Sequence, residues 1–454
     1  MVKNMTEDQI ILNIISFLKE GKRKAFQDII EELQPYDTGI IYQQLPEKHK
    51  VRFLTYLTID QLTALIGELN QELQLEILQK IGVDKSAKVM DLMDNDDLAV
   101  LFEEMDPETK SGFLSKMNKE ESTAVQDLMK YEAETAGRLM TNRYVWIPQE
   151  YTVREVVDKL KTFAELAETI NYLYVIDEHK RLVGVVSYRD LILADADEKI
   201  QDIMFSRVIS VHVDTDQEEV AQVIERYDFL AVPVVDDEKT LIGIVTVDDV
   251  IDVVIQEANE DIEKLSASGK DIDFDTPALV ASKRRLPWLI LLLFIGLISG
   301  SIISGFEATL DEVVALAFFM PMIAGMTGNT GTQSLAVVVR GLISKEIDKK
   351  VVFRLVLREF RVGITIGITC AILITLIAYV WQDGNWVLGV VVGSSLFLTL
   401  IIGTLAGTII PLILYKLNID PAIASGPLIT TLNDILSLMI YFGIATAFLS
   451  YLAS

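Results

Sequence analysis

Cross-linkable sulfur and positive charge are both scarce in this sequence of 454 residues. The one cysteine, Cys370, sits in an apolar run, which excludes a disulfide framework and fits a reducing compartment for any soluble part. Against 66 acidic residues stand 40 lysines and arginines, a formal net charge of −26, so no nucleic-acid partner is expected. The three histidines, His49, His179 and His212, all lie outside the long apolar stretches, where soft-ligand zinc or copper sites are therefore poorly served. No Walker phosphate loop occurs, so ATP-driven pumping lacks its machinery. Asp94-Asn95-Asp96 opens like an EF-hand, yet Ala99 and Met105 stand where its glycine and bidentate glutamate belong, and that loop cannot form.

Apolar residues and acids are abundant, and the two are segregated. Half the residues are hydrophobic, and the mean hydropathy of +0.34 sits oddly beside the charge. From Ser282 onward there are eleven basic and nine acidic residues; the first 281 carry 29 basic and 57 acidic ones, a net of −28. An acidic soluble half joins an apolar, nearly neutral half.

Uncharged stretches run from Leu286 to Phe306, Val313 to Val339, Val362 to Gln382, Gly384 to Tyr415 and Ile435 to Ser454. Each reaches or exceeds the roughly 20 residues that cross about 30 Å of hydrocarbon, which predicts five transmembrane helices in a lipid bilayer. Lys283, Arg284, Arg285, the basic residues from Arg340 to Arg361, and Lys416 fall on one side of these spans. Glu307, Asp311, Glu312 and Asp383 fall on the other. The positive-inside rule then makes this a multi-pass protein of the cell membrane with a cytoplasmic acidic half and an extracellular C-terminus.

Near the start, Ile10, Ile11, Ile14, Ile15 and Leu18 share one helical face, acidic residues precede them and no small-residue cleavage site follows; this predicts an amphipathic helix, not a signal peptide. Residues 1 to about 130 read as an all-α domain of short helices broken at Pro35, Pro46, Gly82 and Pro107, in a small superhelical array.

A firmer repeat follows. LYVIDEHKRLVGVVSYRDL, from Leu173, returns as VPVVDDEKTLIGIVTVDDV, from Val232, with Asp177, Leu182, Gly184 and Asp190 answering to Asp236, Leu241, Gly243 and Asp249. Each unit reads as an apolar strand, an acidic turn, a second strand and the start of a helix. The pair, at about 136–199 and 200–256, resembles tandem CBS modules of α/β type. That resemblance implies ligand sensing and nucleotide binding, ATP included, with Thr246 and Asp249 as ribose contacts. After Asp249, Val250, Val253, Val254 and Ile262 recur at near-helical spacing among Asp252, Glu257, Glu260 and Asp261. Residues 257–281 thus read as an acidic connector helix and linker leading to the membrane.

Two polar segments interrupt the apolar half. Pro321 to Gln333 holds one Pro, three Gly, three Thr, an Asn and a Gln, which predicts a helix broken where it lines a cavity and exposes carbonyl oxygen, rather than helix packing through small residues. Asp434 has thirteen uncharged residues before it and twenty after, so it belongs well inside the membrane. A cation site explains it better than a proton relay or a pairing with Arg358 or Arg361. The spans offer carboxylate, carbonyl, amide and hydroxyl oxygen, a set for a hard cation. Hydrated Mg²⁺ asks for fewer direct oxygens than Ca²⁺, while Mn²⁺ and Co²⁺ stay admitted.

The PMIAGMTGNTGTQ segment, the DPAIASGPLITTLND segment, the five spans and the order of domains together resemble the MgtE magnesium transporter family. The resemblance implies a homodimer with a pore on its axis, transport without enzymatic activity, Asp434 holding hydrated Mg²⁺, and Asn329 with the carbonyls near Gly325 and Gly328 lining the path. It also implies closure by intracellular Mg²⁺. Candidate sensor acids are Asp91, Asp94, Asp96, Asp97, Asp214, Asp216, Asp228, Asp249, Asp252, Glu257, Glu260 and Asp261, with Asp420 sharing an ion with Glu260 or Asp261; a plain solvated surface is the alternative.

Overall fold

The structure is a computed structural model that describes residues 5–167, 169–268, 272, 276–343, 348–381, 385–417 and 419–452. Asp383 therefore lies outside the described residues. The chain divides into two compact units, Met1–Ile255 and Gln256–Ser454.

The first unit opens with the expected amphipathic helix, Glu7–Glu20, which buries Ile10, Ile14 and Leu18. It starts where Gln9 Oε1 accepts from the Thr6 N–H at 3.1 Å and stops at Gly21, whose φ of 74° suits a residue without a Cβ. Nine further helices follow, down to Lys119–Leu128. Their turns are set by local caps: Asn70 accepts from Leu73 N–H, Asp106 from Thr109 N–H, and Pro35 and Pro107 occupy first helical turns.

The repeat folds as two three-stranded sheets. In one, β1 (Trp146–Pro148) runs parallel to β2 (Tyr172–Ile176), which is antiparallel to β3 (Leu182–Ser187). In the other, β4 (Val211–His212), β5 (Ala231–Val235) and β6 (Leu241–Thr246) repeat the order. The acidic turns are chemically alike. Asp177 Oδ1 accepts the N–H groups of His179 and Arg181, Asp236 Oδ1 those of Glu238 and Thr240, and Lys180 and Lys239 both take φ 63°. The two modules exchange their leading segments: Thr141 pairs with Ile244 of β6, and Phe205 with Val185 of β3. Gly243 and Gly184 make room for Met140 and Met204 of these segments, since a Cβ would strike the thioether. A single core joins the helical domain to the second sheet, from Ile14 and Phe102 to Val232 and Val245.

The connector helix, Val247–Ser266, begins directly after β6 and runs through residue 257 without a break. Five long helices follow: Ala278–Gly305, Ala315–Ile343, Lys349–Trp381, Trp386–Lys416 and Gly426–Ala447, here the first to the fifth. Four of them are long and apolar enough to cross a membrane. The second falls short on apolarity, because it carries the Pro321–Gln333 segment. That segment is not broken: the second helix is continuous from Ala315 to Ile343. Its hydroxyls are absorbed within the helix, Thr327 donating to the Ile323 carbonyl at 2.8 Å, Thr330 to Met326 at 2.9 Å and Thr332 to Asn329 at 2.9 Å.

The fourth helix is the hub of this unit. It packs on the second, third and fifth helices and buries residues along its whole length, whereas the first packs on the fifth and buries none.

Candidate functional site

Helices in hydrocarbon approach closely only where side chains are small, and the second, fourth and fifth helices meet that way. A Cβ on Gly407 would overlap the Gly331 carbonyl, one on Gly403 would meet Thr327, one on Gly331 would meet Asn433, and one on Gly328 would meet Thr430. Asn433 is fully buried there and donates its Nδ2 to the Thr327 carbonyl at 3.3 Å. The polar segment therefore splits by face. Thr327, Gly328 and Gly331 pack against other helices, while Gly325, Asn329 and Gln333 recur at four-residue spacing on an exposed face. Small-residue packing, the rejected alternative for this segment, accounts for Gly328; the open face retains Gly325 and Asn329.

Asp434 follows Asn433 on the fifth helix and lies in its first half, half-buried. Its carboxylate takes no side-chain hydrogen bond and no ion pair among the described residues; Ser437 reaches only its backbone carbonyl. Arg358, one of the two arginines considered for it, gives Nε and Nη2 to Glu359 Oε1 at 3.0 and 2.8 Å instead. Glu359 is itself buried, and its other oxygen accepts from Ser334 on the second helix at 3.0 Å. Nothing in the one-dimensional pattern singles out this pair, because only the packing of the helices brings Ser334 to the carboxylate.

The sensor candidates separate into those with local structural roles and those crowded together. Asp216 caps its helix by accepting from Glu218 N–H, Asp228 closes the same helix at φ 53°, and Asp91 accepts from Asn118 N–H at 2.7 Å. Asp214 lies 3.5 Å from His212. Asp94 pairs with Arg143 at 3.2 Å, and Asp96 is buried in the first turn of the helix Asn95–Glu103. This helix is tied to the first CBS segment by Arg138, which meets Glu103 and the Ala99 carbonyl at 2.6 Å each, and by Asn95 Nδ2, 2.9 Å from Asn142 Oδ1. Thr246 is buried and donates to Asp249 Oδ2 at 2.5 Å, just as Ser187 donates to Asp190 at 2.6 Å. Thr246 and Asp249, the expected ribose contacts, lie where β6 passes into the connector helix.

Asp97 is crowded. The surrounding protein mass first, then the carboxylates of Asp94, Asp252 and Asp248, push its carboxyl up to about 6, although its surface still meets solvent. In the second unit, Lys264 Nζ lies 3.0 Å from Glu260 and 2.5 Å from Asp420, whose other oxygen accepts from Ala422 N–H. Burial, then Asp420, raises Asp261. Glu257 has a partner of its own. Among the described residues, no three His, Cys, Asp or Glu side chains converge as a metal cage. The four-residue spacing of Lys264 from Glu260 is the signal the sequence carries for this pair, and nothing in it points Lys264 to Asp420.

A family model described as "Divalent cation transporter" (MgtE) matches residues 320–444, one described as "MgtE intracellular N domain" matches 33–134, and the CBS domain model matches 136–197 and 200–256. The chain is 66% identical over 449 residues to the magnesium transporter MgtE of Bacillus subtilis (strain 168), covering 99% of each. It is 38% identical to that of Thermus thermophilus, covering 97% of this chain and 98% of the relative. Among solved structures, the soluble part of a magnesium transporter aligns with a TM-score of 0.53 at 39% identity, over 56% of this chain and 100% of the other. The cytosolic domain of the Mg²⁺ channel MgtE in complex with ATP aligns with a TM-score of 0.52 at 37% identity, over 54% and 99%.

Proposed function

Because this chain belongs to the MgtE family of magnesium transporters, as its whole-length relatives show, we propose that it carries Mg²⁺ across a membrane along a path in which Asp434 is the decisive carboxylate. The observation that carries this reading is a half-buried carboxylate in a membrane-length helix with no cationic partner among the described residues. A charge there costs a few kcal/mol or more, and a passing hydrated cation offsets it. Asn329 and the Gly325 backbone, on the exposed face of the second helix, line the same path, and the face is open for a second copy. Two copies would bring two carboxylates to one axis, the number Mg²⁺ asks for while keeping several waters.

The basic loops support a reading with the acidic half in the cytoplasm, five spans in all and the C-terminus outside. High cytosolic Mg²⁺ closes the path by neutralising carboxylates around Asp97, Asp248 and Asp252, and around Glu260, Asp261 and Asp420; their chemistry, all hard oxygen, suits that ion. The CBS pair is the seat of ATP binding, a reading supported by the aligned cytosolic domain having been solved in complex with ATP.

Uptake of Mg²⁺ into liposomes, with no Na⁺ or pH gradient, tests the proposal. Asp434→Ala is expected to abolish uptake while the protein still purifies folded. Normal uptake would reject the carboxylate's role, and uptake that stops without a Na⁺ or proton gradient would point to coupled transport.

A further inference from the structure

Four groups of unlike charge are drawn together at the far end of the connector helix. Lys264 Nζ stands 3.0 Å from Glu260 Oε1, one helical turn back, and 2.5 Å from Asp420 Oδ2 on the loop before the fifth helix. The side chains are partly covered, with relative exposures of 30% for Lys264, 19% for Glu260 and 33% for Asp420. Asp261 adds a third carboxylate close enough to feel the charge of Asp420. Asp420 is held in place independently, since its Oδ1 caps Pro421–Ile423 through the Ala422 N–H at 2.8 Å. Its Oδ2 is the oxygen left for a cation, and an ammonium takes it.

Carboxylates that share one ammonium, as Glu260 and Asp420 do, repel each other unless a cation lies between them, and Asp261 adds to that repulsion. A lysine supplies one positive charge on a flexible four-carbon stem, so its head can withdraw into water when a competitor arrives. A divalent ion brings twice the charge and tolerates carboxylates as direct or water-bridged ligands. We propose that Lys264 is the resident counter-cation of the Glu260, Asp261 and Asp420 group, holding the connector helix to the loop when Mg²⁺ is low and yielding the carboxylates to Mg²⁺ when it is high. The proposal rests on the reading that cytosolic Mg²⁺ shuts the transporter. Lys264 then supports part of the closed arrangement by itself, and Mg²⁺ completes it.

Amide hydrogen exchange of residues 256–266 and 419–424, followed in the full-length protein in lipid nanodiscs with a chelator and then with millimolar Mg²⁺, tests this beside uptake assays. Lys264→Gln is expected to lose about fivefold in protection of both segments without Mg²⁺, the factor of a partly exposed ion pair worth roughly 1 kcal/mol. Mg²⁺ should restore that protection, and Lys264→Arg should behave as the parent protein. Unchanged protection in Lys264→Gln without Mg²⁺ overturns the counter-ion role, and protection that Mg²⁺ does not restore overturns the exchange. Uptake by the parent protein that is indifferent to Mg²⁺ on the domain side would instead sink the regulatory reading, and the Mg²⁺-free comparison would still judge Lys264.

Discussion

A carboxyl stripped of water by the protein around it and then crowded by other carboxyls gives up its proton late, and Asp97 is the clearest case in the acidic half. With its folded-state value up to about 6, above the ordinary aspartate range near 4, the folded protein binds the proton more tightly than the unfolded chain does. Stability therefore rises as pH falls through 6 toward 4, and at pH 7 and above the ionised group opposes the fold. Asp97→Asn is expected to melt higher than the parent at pH 7.5 in Mg²⁺-free buffer and to close most of that gap by about pH 4. The gain is at most about 1 kcal/mol, because water still reaches the side chain. Thermal unfolding of the soluble part at the two pH values checks this; an equal difference at both would mean that the ionised carboxylate is not the cause.

At the scale of elements, the second helix carries the lesson about what a sequence reveals. Three glycines and three threonines in thirteen residues read as a helix under strain, and its continuity has two causes that composition hides. The hydroxyls return to carbonyls of their own helix, and two of the three glycines, Gly328 and Gly331, are consumed by contact with the fourth and fifth helices. Gly407→Ala is expected to force the second and fourth helices apart at Gly331 and to cost about 1–3 kcal/mol. The measurement is a lower unfolding temperature in detergent, with reduced uptake. Gly341→Ala, where a Cβ meets open space, should leave both unchanged. By contrast, the CBS repeat was legible because strand alternation and an aspartate turn leave marks at fixed positions, Asp177 and Asp236 among them. The exchange of leading segments between modules was not, since Thr141 and Phe205 find their partners only when the sheets are side by side. The same holds for Lys264 and Asp420, which are distant in sequence and adjacent in space.

For the whole molecule, the governing quantity is the net charge of −28 on the first 281 residues, set against a nearly neutral remainder. Self-repulsion of that size opposes any compact arrangement of the acidic half, and cations relieve it in two distinguishable ways. Screening depends on ionic strength alone and fades within about 8–10 Å at ordinary salt. Site binding depends on which ion is present, and it stabilises the folded form by about 2.7 kcal/mol at a concentration one hundred times the dissociation constant. The acids around Asp97 and around Asp420 feel one another's charge and are the candidates for the second way, whereas Asp216 and Asp228 are spent on helix ends. MgCl₂ is therefore expected to raise the unfolding temperature of the soluble part well beyond NaCl of equal ionic strength. The excess should shrink in Asp97→Asn, which removes one of the crowded charges. Equal effects of the two salts would leave only screening, and with it no reason for the acidic half to respond to Mg²⁺ in particular.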